Sequence, residues 1–170
     1  MQFERMHDIE ALFRRLSTGV YVVGAAHGGA RNAFTAAWVM QVSYDPLMLA
    51  LSINPQHATY PLVHESGAFT VNVLKAGAVD VARRFGTRSG RDEDKLAGVG
   101  WHPGKSGAPV LNEALAYFDC EVADTVRAGD HELIVARVID GRILDADATP
   151  MTYAETGNLD GSSSLFPSSF

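Results

Sequence analysis

The sequence predicts a mainly β chain, an antiparallel barrel with short helices at its periphery. Three observations predict it. Most apolar segments alternate, or run unbroken, over strand lengths. Helical spacing appears only in short stretches. No regular β-α-β alternation is present, so a closed antiparallel barrel is favoured over a doubly wound sheet. The chain has 170 residues, which suits one domain. The expectation is a single domain over 1–170, with 145–170 as an irregular C-terminal extension.

The elements follow in order. Asp8 is placed to cap a helix whose apolar residues Ile9, Leu12, Phe13 and Leu16 form a one-sided stripe. Gly19 ends it and "GVYVVGA" opens a β-rich stretch. "HGGAR" is a turn. "FTAAWVMQV" and "LMLALSI" read as two strands around "SYDP". Thr59 is placed to cap a short helix, with Pro61 in its first turn and Gly67 closing it. In "AFTVNVL", Phe69, Val71 and Val73 alternate against Thr70, Asn72 and Leu74. "AVDVARRF" is helical, with Val79, Ala82 and Phe85 on one face. The stretch 86–109 reads as loop with a helical turn at 94–97. Two long strands then meet at Ala128, Gly129 and Asp130.

Composition narrows the function. Apolar residues are 46% and charged residues 20% of the chain, enough for a packed core. The net charge of −6, with no basic cluster interleaved by aromatics, argues against a nucleic-acid partner. One cysteine, Cys120, permits no intrachain disulfide and fits a reducing compartment. The first sixteen residues are charged and helical, without an apolar signal core. No run approaches the roughly 18 apolar residues of a membrane span. No membrane association is expected, and a cytoplasmic location is the default.

Familiar chemistries can be tested in turn. "GKS" at 104–106 lacks the earlier glycine of a phosphate loop, since position 99 is Val, and Pro109 forbids the required helix. Gly98, Gly100 and Gly104 miss the dinucleotide spacing. The six histidines are dispersed, so a zinc site has no support. No G-x-S-x-G elbow exists. Cys120, mid-strand, reads as a small buried thiol rather than a nucleophile.

The order of four segments carries more. "FRRLSTGVYVV", "NAFTAAWVMQVSYDPLMLALSI", "TYPLVHESGAFTVNVL" and "FDCEV…AGDHELIVARV" together resemble the flavin reductase-like family. The resemblance covers about residues 13–143. It implies the FMN-binding split barrel, a Greek-key-like antiparallel fold, usually as a homodimer with the flavin in a groove near the interface. It further implies an NAD(P)H-dependent flavin reductase that delivers reduced flavin to an acceptor or a partner monooxygenase. The cofactor implied is FMN, with FAD as the alternative and NADH or NADPH as reductant. Other branches hold FMN tightly as electron carriers or ferric reductases.

The resemblance also implies where the flavin lies. Thr35, Ala36, Ala37, Trp38, Val39 and Met40 would run along its ring and ribityl chain, with the small alanines allowing close approach. Ser52, Ile53 and Asn54 would line the other side. The loop through His57, Thr59 and Tyr60 would meet the phosphate, aided by free N–H groups at a helix start. "NPQHATYP" carries no Lys or Arg; His57 is a partial substitute, and Arg83, Arg88 and Arg91 are other sources of charge. "GDH" at 129–131 would place His131 by flavin and nicotinamide, with Asp130 fixing its tautomer. Ordinary readings stand beside these. Trp38 fits a core or interface position, Asp130 with Gly129 is a common turn pair, and Thr59 is a helix cap in either reading.

Overall fold

The hairpin formed by β1 (Tyr21–His27) and β2 (Ala30–Ala36) turns at Gly28 and Gly29, both at positive φ (57° and 83°). Glycine adopts that conformation at little cost. The computed structural model describes residues 9–170, so the expected cap Asp8 lies outside the described residues. The further strands are β3 (Val39–Tyr44), β4 (Leu47–Ile53), β5 (Ala68–Val73), β6 (Trp101–Pro103), β7 (Pro109–Leu111), β8 (Ala116–Ala128) and β9 (His131–Ile143). The helices are α1 (Ile9–Phe13), α2 (Tyr60–Ser66) and α3 (Val79–Thr87).

Seven strands form one antiparallel sheet in the order β2-β1-β5-β8-β9-β4-β3. Strands far apart in that order share one core. Val23, Phe34, Leu51, Phe69, Cys120 and Ile134, with Val63 of α2, pack in a single cluster. The sheet is therefore rolled into a barrel, split between β2 and β3. The outer face of β1 and β2 carries a second cluster, in which Val22 and Ala33 meet Phe85 of α3, Leu96, Leu111 and Met151. A strand buried on both faces explains the unbroken apolar run in β1.

The structure corrects three expectations. The strand read through "FTAAWVMQV" breaks at Ala37 and Trp38, giving β2 and β3. The stretch 86–109 contains β6 and leads into β7, a short hairpin. That hairpin covers β5, so Thr70 and Asn72, on the face opposite Phe69 and Val71, are buried as well. Asn72 Nδ2 donates to Val22 O (2.9 Å), its Oδ1 accepts from Leu111 N (2.8 Å), and Thr70 Oγ1 donates to Pro109 O. Finally, the α1 stripe is not a buried face. Only Ile9 is buried; Leu12, Phe13 and Leu16 are exposed.

The other expected features sit where the sequence put them. Gly67 closes α2 in the left-handed region (φ 65°). Ala82 and Phe85 are the buried face of α3. β8 and β9 meet at a two-residue turn, Gly129 and Asp130. Residues 145–170 contain two 3₁₀ turns, Tyr153–Thr156 and Ser162–Leu165, and fold back on α1. There Phe166 meets Phe13 at 5.6 Å, and Ser163 Oγ donates to Glu10 Oε1 at 2.7 Å. No helix among the described residues is long and apolar enough to cross a membrane.

Candidate functional site

The break between β2 and β3 positions the first half of the site. At Ala37 and Trp38 the chain leaves the ladder, and Trp38 O accepts from Ser52 N at 3.0 Å. Trp38 is 57% exposed. Its ring lies 4.8 Å from that of His131, tilted by 51°. His131 opens β9, directly after the Gly129 and Asp130 turn. Its Nδ1 is 2.8 Å from Asp130 Oδ1. An ionised carboxylate only accepts, so Nδ1–H donates and Nε2 is left as the other ring position. The same hydrogen bond holds the Asp130 carboxyl below its ordinary range.

The second half is the loop after β4. Asn54 Oδ1 accepts from Gln56 N (2.9 Å), and Asn54 O accepts from His57 N (2.9 Å). This is an Asx-type turn. The His57 ring packs 4.2 Å from Phe34. Burial, and then the charges of Lys95 and Arg91, push its pKa down from 6.5 to about 4. Arg91 reaches the loop directly, donating to Gln56 O at 2.7 Å. Thr59 occupies the cap position of α2 but makes no side-chain cap bond. Its hydroxyl is buried without a partner among the described residues.

A carboxylate ties the two halves together. Glu132 follows His131 and pairs in register with Ile53. It accepts from Tyr60 Oη at 2.7 Å and lies 3.1 Å from His64 Nε2. The Tyr60 hydrogen bond is the largest influence lowering the Glu132 pKa, and it raises that of Tyr60. The start of α2 is thereby pinned to the residue beside His131.

The remaining predicted residues divide by side-chain direction. Thr35 points outward and donates to Ala82 O of α3 at 2.8 Å. Ala36 and Ile53 point into the barrel core, so only their backbone is left for a ligand. Val39 packs against that core, while Met40 is exposed. Thr35, Ala36 and Ala37 line a cavity of about 60 Å³ closed by Tyr153, Thr156 and Leu159 of the C-terminal segment. Arg83 and Arg88 line a separate cleft of about 940 Å³ beside α3, which none of the predicted flavin residues lines. Glu132 and His64, which hold Tyr60 and the strand end beside His131, were not legible from the sequence, nor was the buried Lys95. Their only sequence signal is position, one residue after "GDH" for Glu132 and an acidic run for Lys95.

These features fit a flavin. An exposed indole beside an imidazole offers a wall for a flat ring, and the broken strand offers unladdered backbone beside it. The buried Thr59 hydroxyl at the start of α2 has a hydrogen-bond donor still unused among the described residues. The family comparison agrees in kind: the flavin reductase like domain matches residues 13–160.

The chain belongs to the flavin reductase-like family.

Its relatives agree. A diflavin flavoprotein from Synechocystis sp. is 31% identical over 89% of this chain and 27% of its own length. A high molecular weight rubredoxin from Moorella thermoacetica is 34% identical over 86% of this chain and 64% of its own. The chain thus spans about a quarter of the diflavin flavoproteins it matches. Among solved structures, an NADH:FAD oxidoreductase from Streptomyces globisporus matches with TM-score 0.80 and 26% identity, over 87% of this chain and 88% of that one. An FMN-binding protein from Thermus thermophilus matches with TM-score 0.71 and 29% identity, over 75% and 73%. The fold is the flavin reductase split barrel.

Proposed function

We propose that this family member is an NAD(P)H-dependent flavin reductase, with FMN, or alternatively FAD, in the groove at the split between β2 and β3. The observation that carries the reading is the Trp38 and His131 ring pair standing at that split. A bound flavin supplies the ring that accepts a hydride from a nicotinamide. The chain supplies orientation, which is what ring-to-ring transfer needs. Trp38 and His131 form one wall. Asp130 fixes the His131 tautomer so that Nε2 faces away from the turn. Glu132 holds the loop after β4 against the same strand end through Tyr60.

The reading extends to assembly. A homodimer is supported by the exposed apolar residues of the β3 edge, Met40, Val42 and Tyr44, with Leu47 beside them; apolar edge strands are normally covered. A monooxygenase partner and a cytoplasmic setting complete the proposal. The second reading is an FMN-holding electron-transfer or ferric-reductase domain without direct NAD(P)H activity. It is favoured by one finding, that the similar diflavin flavoproteins are about four times as long as the matched region.

The test is anaerobic mixing of the purified chain with excess FMN and NADH or NADPH. The proposal expects flavin bleaching above the uncatalysed rate with at least one nicotinamide. No acceleration with either would overturn it, and retained flavin reducible only by a protein donor would establish the second reading. His131→Ala is expected to keep flavin binding and slow turnover about tenfold through lost orientation; unchanged kinetics would remove His131 from its role.

A further inference from the structure

The apolar cluster outside the barrel is open on one side. It is covered by α3, but beside that helix the cleft of about 940 Å³ reaches down to it. Leu74, Phe85, Leu111 and Ala114 belong to the cluster, are buried, and also line the cleft. Val81 and Val99, half-buried, stand beside them. The floor is therefore apolar, and a space of this size admits a small organic molecule.

The walls are held apart by the chain itself. Gly77 and Gly98 line the cleft at positive φ (83° and 74°), and an added Cβ at either would meet nothing within 4 Å. The wall that runs through Gly98 and Val99 is tied to α3 by Arg84, which donates to Lys95 O at 2.8 Å and to Ala97 O. That guanidinium is spent on backbone and acts as a strut. Thr35 and Ala82, which meet on the β2 side of α3, do not line the cleft. The cleft is thus distinct from the groove at the split.

Charge sets the kind of molecule. The chain carries −6, yet four cations, Lys75, Arg83, Arg84 and Arg88, line this cleft against two acids, Asp80 and Glu113. Lys75 is held by Asp145 at 2.8 Å. Arg83 and Arg88 are half exposed, and their acids, Asp80 at 3.0 Å and Glu93 at 3.5 Å, are exposed as well. Surface pairs of this kind contribute little. The two guanidiniums are therefore free to turn to a better acceptor, and their forked donors match a carboxylate. An apolar floor beneath a cationic rim suits a molecule with an apolar body and one negative end.

We propose that this cleft is a second ligand site, which binds a small organic carboxylate through its apolar body, with Arg83 and Arg88 taking the charge. The competing account is that the cations only solubilise the surface of α3 and the cleft holds water.

The experiment is calorimetric titration of the full chain with octanoate, and with octan-1-ol as the neutral control. Octanoate is expected to bind at one per chain with a Kd of about 1 mM or tighter. Octan-1-ol should bind at least about tenfold more weakly, the scale of a charge-assisted hydrogen bond. In the double variant Arg83→Gln, Arg88→Gln the octanoate affinity should fall at least about tenfold while that of octan-1-ol holds. Saturating FMN should leave octanoate binding unmoved. Amide shifts in nitrogen-15 spectra should move most at 98–100 and 111–114. No octanoate binding by about 10 mM, or binding equal to that of octan-1-ol, would overturn the site. Full affinity in the double variant, displacement by FMN, or shifts centred on 35–41 and 52–60 would overturn it too, since the anion would then sit elsewhere. Each of these failures leaves the flavin reading standing.

Discussion

His57 shows how one side chain links the site to stability. Its imidazole is packed on Phe34 and held neutral by burial and by the nearby cations. The folded pKa, about 4, lies below the unfolded 6.5. Between those values the unfolded chain binds more protons, so stability falls as pH drops from 6.5 toward 4. His57→Gln is expected to flatten that part of the curve. Thermal midpoints at about pH 7 and about pH 5 check it: the wild-type drop should exceed that of the variant. Equal drops would mean that His57 is not held neutral by the fold. Cys120 illustrates the opposite case. Burial pushes its thiol up to about 12, in keeping with the inert, buried reading of the sequence. The residue scale is also where sequence reading stopped short. His131 was visible through "GDH", but Lys95 stands in "DEDKLAG". Its burial depends on how its segment packs against α3, where its ammonium bonds Phe85 O, and against β2, and no local pattern reveals that.

Elements were more legible, because periodicity is a local signal. The hairpins at Gly28 and at Gly129, the α2 stop at Gly67 and the buried face of α3 follow from turn chemistry and spacing. Two features did not. The break at Ala37 and Trp38 lies inside a good strand pattern, and the Trp38 ring there meets His131, a contact that only the folded barrel brings about. The hairpin of β6 and β7 has too few residues to show a period, and it is held by tertiary contact with β5. That contact gives a prediction. At Gly24 of β1 an added Cβ would stand 2.7 Å from Pro109 O and 2.8 Å from Thr70 Oγ1. Neither is the free end of a flexible chain. Gly24→Ala should therefore cost about 1–3 kcal/mol by overpacking, read as a lower urea midpoint. No change in midpoint would mean that the hairpin is not seated on β1 as described.

At the scale of the whole molecule, the sequence carried the fold class but not the location of its exposed apolar surface. The order of strands in the barrel is a matter of long-range pairing; the family resemblance anticipated the split barrel but not that order. The β3 edge leaves Val42, Tyr44 and Leu47 in solvent. If this edge meets a second copy, sedimentation should give twice the chain mass, and Tyr44→Glu should halve it. A monomer in wild type at micromolar concentration would remove the homodimer from the account. The central claim, however, is that the split in the barrel wall is a flavin groove. Titration of the purified chain with FMN, followed by quenching of flavin fluorescence, tests it most directly. The account predicts saturable binding at one flavin per chain, accompanied by quenching of Trp38. A titration in which FMN fluorescence stays that of free flavin throughout would contradict it.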